Sequence, residues 1–199
     1  MSAFRLGLTG SIGMGKSTTA QMFADEGIPV WDADATVHRL YAPGGAAALA
    51  LGSALPGSLD AAGGVDRAVL KAMIAADPAV LDRLNAIVHP LVSADRATFL
   101  AASTADIVLL DIPLLYESGL EKNCDAVAVV TAPPQVQRAR VLDRDTMTPA
   151  MFETILARQL PDAEKRARAD YVIETLTLEA ARAAVKDVLA DIRRRIRNA

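Results

Sequence analysis

Apolar residues in this chain come in two textures. Five short runs, at 4–9, 28–32, 107–111, 126–130 and 171–173, are continuous, as strands buried on both faces require. Elsewhere apolar positions recur at helical spacing. Ala20, Phe23 and Ala24 mark a helix after the first run, with Gly27 as its left-handed stop. Val69, Leu70, Met73 and Ile74 predict another. Val80, Leu81, Leu84 and Val88 predict a third, entered through Asp77 as N-cap and Pro78 in its first turn. His89 precedes Pro90 and is driven toward extended backbone, so a new helix is expected to restart at Pro90. Residues 41–64, rich in alanine and glycine, read as a helix between loops. Leu178, Ala181, Val185, Val188, Leu189, Ile192 and Ile196 draw one stripe along a closing helix, whose Arg193, Arg194 and Arg195 read as a solvated last turn.

Strand alternating with helix predicts an α/β fold around a parallel sheet. About seventy residues without strand signal separate the second and third runs, longer than an ordinary crossover, and predict a helical insertion. A second insertion, from 133 to about 168, is punctuated by Pro133, Pro134, Pro149 and Pro161 and carries Arg138, Arg140, Arg144 and Arg158. The chain has sixteen arginines against five lysines, which favours the planar fork that grips phosphate, although interleaved acids also suit a solvated face.

Composition narrows the chemistry. With 199 residues, 52% of them hydrophobic, the chain can bury a proper core in one domain. A net charge of -3 argues against bulk binding to nucleic acid or an anionic membrane. One cysteine, Cys124, forms no internal disulfide and reads as a small buried hydrophobe in a reducing compartment. The opening residues lack a signal-peptide pattern and no run is long enough to span a bilayer, so the expected setting is cytoplasmic.

The residues from Gly10 to Ser17, GSIGMGKS, satisfy G-x-x-x-x-G-K-[ST] at every position, between a strand and a helix. Glycines let successive N–H groups turn inward on phosphate oxygens, and the helix starting near Lys16 adds its positive end. Lys16 would reach the β- and γ-phosphates and the Ser17 hydroxyl would hold Mg²⁺. This predicts nucleoside triphosphate, leaving a small-molecule kinase, a GTPase-type switch and an ATPase module. The switch needs a base-reading N-K-x-D stretch, which is absent. A kinase needs an acceptor-side carboxylate and a substrate subdomain. Asp32 and Asp34, in WDAD, stand at the carboxyl end of the second run, where alternation would point both the same way beside the glycine loop. Asp34 could accept the acceptor's proton, or cap a helix starting near Ala35. Asp111, ending the third run, fits a Mg²⁺ carboxylate or a turn residue.

With those residues placed, the chain resembles the dephospho-CoA kinases. The likeness runs from about residue 6 to 174. It rests on GLTGSIGMGKS, DAD at 32–34, LNAIVHP at 84–90, DIPLLYE at 111–117, a Q-x-x-R-x-x-x-R pattern at Gln137, Arg140 and Arg144, and RQLPDAEKRARADYVI at 158–173. The resemblance implies a P-loop NTPase three-layer fold: a five-stranded parallel sheet, a helical substrate-binding insertion and a helical lid. The core would cover about 1–35, 105–132 and 169–199, the CoA-binding insertion about 36–104 and the lid about 133–168. It implies ATP and Mg²⁺ as cofactors and dephospho-CoA as acceptor, phosphorylated at the ribose 3′-hydroxyl to give coenzyme A and ADP. Nucleic acid and membrane play no part, and the chain is expected to be a monomer.

Carried over by motif, Asp34, Lys16 and Arg140 look catalytic, Arg140 as a phosphate clamp. Gly13, Met14, Gly15, Lys16, Ser17 and Thr18 look like the ATP loop, with Ser17 and Asp111 toward the metal. Asp32, His89, Pro90, Leu115 and Glu117 look like the acceptor side, although a lone histidine before a proline is also a common structural residue. Glu174 and Thr175 stand where the family often has an asparagine close to the adenine. A kinase for another hydroxyl acceptor, a nucleoside or small polyol, is the alternative on the same core.

Overall fold

The computed structural model describes residues 3–198, which fall into two compact units. Among the described residues the first, 3–31 and 103–198, holds the sheet; the second, 32–102, is helical.

The strands form a five-stranded parallel sheet in the order β2-β3-β1-β4-β5. They are β1 (Phe4–Thr9), β2 (Val30–Asp32), β3 (Ile107–Asp111), β4 (Ala126–Thr131) and β5 (Tyr171–Glu174). Every residue of β3 and β4 is buried, which is why their sequences run apolar without alternation. The register pairs Leu8 with Asp111 and Thr9 with Val129, so β1 and β3 end within one residue of each other and β4 runs two residues further. Helix α1 (Lys16–Asp25) and the closing helix α9 (Leu178–Asn198) pack on this sheet and on each other. Their shared core includes Phe23, Leu6, Leu8, Val185, Leu189 and Ile192. Leu178, at the start of the predicted stripe, is 65% exposed because the first turn of α9 overhangs the core. Arg194 and Arg195 pair with Asp191 on the solvent side, as a solvated last turn should.

The predicted 28–32 strand is shorter than its apolar run. Gly27 takes φ 82, its N–H reaches the Ala24 carbonyl and the Ile28 N–H reaches that of Phe23, so Ile28 belongs to the C-terminal cap of α1. Between β4 and β5 run α6 (Pro134–Leu142), α7 (Pro149–Leu156) and α8 (Asp162–Arg168). Cys124, expected buried, is only partly so; its sulfur lies where a Cβ on Gly7 would come within 2.8 Å.

In the helical unit, α2 (Ala33–Tyr41), α3 (Ala46–Ala54) and α4 (Arg67–Ala76) surround α5 (Ala79–Ala102). Asp66 caps α4 by accepting from the Ala68 and Val69 amides, and the Asp77 carboxylate accepts from the Ala79 N–H as expected. The helix restart expected at Pro90 does not occur: α5 runs through it. Pro90 is exposed, so water can serve the carbonyl that loses its donor, while Leu84, Ile87, Val88, Leu91 and Val92 keep one packed face continuous across it.

Candidate active site

The glycine loop joins β1 to α1 at the carboxyl edge of the sheet. Gly13 takes φ 78 and Gly15 φ 88, in the left-handed region that glycine adopts without cost. Side chains there would also collide. A Cβ on Gly13 would strike Val141 and the Gln137 carbonyl, and one on Gly15 would lie 3.1 Å from the Thr175 hydroxyl. Gly15 is the N-cap of α1 and has no side chain to fill the cap, so the first amides of α1 are left for a ligand. Ser17 and Thr18 are exposed in that first turn. The Met14 side chain is buried and its sulfur accepts from the Ala132 N–H at 3.0 Å, so Met14 serves the loop by its backbone.

Lys16 and Asp111 meet. The ammonium lies 2.7 Å from Asp111 Oδ1, and the aspartate side chain is only 3% exposed. β3 fixes the carboxylate at its last residue, while α1 brings the lysine to it from the loop.

Sequence reasoning missed what holds the loop in shape. Gln137, 5% exposed on α6, donates through Nε2 to the Ile12 carbonyl at 2.7 Å. Gln159, between α7 and α8, accepts through Oε1 from the Ile12 N–H at 3.0 Å. Two glutamines thus satisfy both backbone polar groups of one loop residue. The arrangement dictates opposite outcomes for two isosteric changes. Gln137→Glu removes the donor and sets a carboxylate against a carbonyl, whereas Gln159→Glu keeps an acceptor. The first is expected to raise the KM for ATP about tenfold, the second to leave it within twofold, as steady-state kinetics on the two variants would check.

Arg140 is likewise tied to this corner: its guanidinium donates to the Thr175 hydroxyl at 3.0 Å and to the Thr175 carbonyl. The same hydroxyl donates to the Met14 carbonyl at 2.8 Å. Thr175 therefore links α6, the glycine loop and the end of β5. Gly13, Thr18, Met22, Arg140, Thr175 and Leu178 line a cavity of about 290 Å³ beside the loop.

The segment after β3 departs from expectation. Leu115, expected in an acceptor pocket, is wholly buried against Gly7. Glu117 is engaged by Lys165, itself fully buried, at 2.8 Å and by the Leu160 amide at 2.8 Å. Burial works to raise the Glu117 carboxyl, but Lys165 and that amide outweigh it and hold it below the usual carboxylate value. Arg168 stacks 4.2 Å over the Tyr116 ring and pairs with Glu121 at 2.9 Å. These contacts fasten α8 to the segment. No sequence signal reveals them, because Glu117 and Lys165 sit on separate elements.

Asp32, Asp34, His89 and Pro90 belong to the helical unit. The Asp32 carboxylate accepts from the Ala35 N–H at 2.9 Å, so Asp32 is the cap of α2 and Asp34 is not. Helix α2 begins at Ala33, two residues before the expected start, so strand alternation does not align the two aspartates. Asp34 is exposed in the first turn of α2, and His89 is exposed on α5. Thr36 and Arg39 both bond Asp95 at 3.1 Å, which pins α2 to α5 and fixes the backbone that carries Asp34.

A parallel sheet ending in a glycine loop with left-handed turns, an uncapped helix start and a lysine on a buried aspartate defines a P-loop phosphotransferase. A sequence profile of the family described as dephospho-CoA kinase matches residues 4–179. A dephospho-CoA kinase of Cereibacter sphaeroides is 66% identical over 97% of this chain and 98% of its own length. One of Ruegeria pomeroyi is 59% identical over 96% of both. The solved structure of TT1252 from Thermus thermophilus superposes with a TM-score of 0.83 at 34% identity, covering 96% of this chain and 98% of that one. The chain belongs to the dephospho-CoA kinase family. It is a transferase, and its reaction is the phosphorylation of dephospho-CoA that completes coenzyme A synthesis.

Proposed function

We propose a division of labour for that reaction in which the glycine loop presents ATP and Asp34 aims the ribose 3′-hydroxyl at it. The amides from Gly13 to Thr18 hold the β- and γ-phosphates, and Lys16 passes from Asp111 to those phosphates when the nucleotide enters. The nucleoside occupies the cavity beside Arg140 and Thr175. Arg140 clamps the transferring phosphate, and α6 to α8 act as a lid that keeps water from competing with the acceptor. The transition state is loose, so Asp34 orients the hydroxyl and takes its proton, while positive charge on the phosphates lowers most of the barrier.

Mg²⁺ fits the donors present. The Ser17 hydroxyl, exposed in the first turn of α1, and the Asp111 carboxylate at the end of β3 would hold the ion beside the triphosphate. Bound there, it would neutralise the β- and γ-oxygens. His89 and Pro90 stand on the acceptor side. Asp32 acts by capping the helix that carries Asp34, and Leu115 and Glu117 by anchoring the segment after β3 to the core and to α8. The enzyme works as a cytoplasmic monomer.

The uncapped start of α1 beside the Lys16–Asp111 pair carries this reading. A coupled assay of ADP formation against a panel of acceptors tests it. Dephospho-CoA is expected to support turnover, with nucleosides and small polyols at least a hundredfold less effective in kcat/KM. Equal use of a polyol would move the chain to the alternative acceptor class.

A further inference from the structure

We propose that Lys165 is a positioning residue for ATP: paired with Glu117, it sets the peptide planes of the glycine loop through Gln159. The inference rests on that loop binding the nucleotide, and it gives a task to a lysine remote from the phosphates. Lys165 is fully buried, and its ammonium lies 2.8 Å from Glu117 Oε1. Taking an ammonium out of water is costly enough that an apolar side chain of similar volume would suit this place at least as well for stability alone. What the charge adds is direction. Glu117 Oε1 also accepts from the Leu160 N–H at 2.8 Å, so a single oxygen grips both ends of the turn from 160 to 165. A third hold lies between them, where the Thr131 hydroxyl at the end of β4 donates to Asp162 at 2.9 Å. Pro161 stiffens the turn further, its ring fixing φ at -52. Gln159 therefore projects from a backbone with little freedom left.

That projection reaches the loop. Gln159 Oε1 accepts from the Ile12 N–H at 3.0 Å. In a trans peptide the N–H and the carbonyl of the same plane point in opposite directions, so this bond also aims the Ser11 carbonyl. The Ser11 carbonyl in turn accepts from the Met14 N–H at 3.1 Å and closes the turn through Gly13. Gln137 governs the next plane: by holding the Ile12 carbonyl at 2.7 Å it turns the Gly13 N–H away from α6. The circuit closes on the strand that feeds the loop. The segment carrying Glu117 is tied to β1 by the Ile112 N–H on the Leu8 carbonyl at 3.0 Å and by the Thr9 hydroxyl on the Pro113 carbonyl at 2.9 Å. Lys165 thus fixes the 160–165 turn relative to the end of β1, and Gln159 passes that position on to Ile12.

Calorimetry of ATP binding and steady-state kinetics on the full chain test this with Lys165→Met, Gln159→Ala and the two combined. Methionine keeps the apolar stem and removes the ammonium. Lys165→Met is expected to weaken ATP binding about fivefold and Gln159→Ala about tenfold, each with the KM for dephospho-CoA within about twofold. The combined variant should bind ATP within about twofold of Gln159→Ala alone, because both changes act through one bond to Ile12. Lys165→Met lowers the thermal midpoint whether the lysine positions the loop or only fills the core, so affinity decides between the two. Should the single variant fail to fold, Glu117→Gln/Lys165→Met removes both charges together and leaves an amide oxygen for the Leu160 N–H. It is expected to weaken ATP at least about threefold, again masked by Gln159→Ala. Unchanged affinity for ATP in the lysine variants overturns the proposal. So does a combined variant about fiftyfold weaker, which would make Lys165 and Gln159 independent. A wild type that binds no ATP would instead overturn the reading of the loop itself.

Discussion

Replacing Lys16 with alanine is expected to lower kcat about a thousandfold, equivalent to about 4 kcal/mol of transition-state stabilisation. The size follows from where the ammonium sits. It starts at 2.7 Å from Asp111 on the first residue of α1, within a side chain's reach of whatever the loop amides hold. Charge on the transferring phosphoryl group spreads over its outer oxygens, and a fixed cation in a site shielded from water stabilises that charge more than the ground state. The same change takes the ammonium from a nearly buried carboxylate, so the protein should also lose about 2 kcal/mol of stability. Adding Asp111→Asn to Lys16→Ala should recover part of the stability and none of the rate. Rapid-quench turnover and thermal unfolding on the single and double variants separate the two effects. A Lys16→Ala enzyme with wild-type kcat would remove the lysine from the chemistry.

Asp34→Asn is expected to lower kcat by two to four orders of magnitude while the KM for ATP stays within about threefold. The carboxylate is exposed in the first turn of α2 and Asp32, not Asp34, supplies the cap, so the change deletes no structural hydrogen bond of that helix. Asparagine keeps the size and the acceptor oxygen but accepts no proton. The loss should therefore fall on chemistry. Asp32→Asn gives the contrast: an amide oxygen still caps, and activity should drop by less than fivefold. If Asp32→Asn were the silent-binding, slow-transfer variant and Asp34→Asn were normal, the roles of the two aspartates would be exchanged.

What the sequence discloses is what is local. The glycine loop is legible because eight consecutive residues match the whole motif, and the structure turns the backbone there through left-handed Gly13 and Gly15. Strands β3 and β4 are legible because burial on both faces leaves an uninterrupted apolar run, whereas β5 at the sheet's edge, with Val172 45% exposed, shows only a short apolar stretch. Reading fails where a residue's neighbours are distant in the chain. Gln159 meets Ile12 across 147 positions, and nothing near either one announces the contact. Glu117 and Leu115 look like site residues because the DIPLLYE stretch resembles the family's, but packing turns one toward Lys165 and the other into the core. Local rules mislead where tertiary packing is stronger. Pro90 should break α5, yet the apolar face on both sides keeps the helix whole. The start of α2 is misplaced for a similar reason: either aspartate can cap, and only the backbone geometry selects Asp32.

The central claim concerns the fate of one phosphoryl group. Incubating the protein with ATP labelled at the γ-phosphorus and with dephospho-CoA, then locating the label, tests it most directly. The account predicts label on the ribose 3′-oxygen of the product, in proportion to ADP formed and lost with Asp34→Asn. Label released as inorganic phosphate at the same rate with or without dephospho-CoA would contradict it.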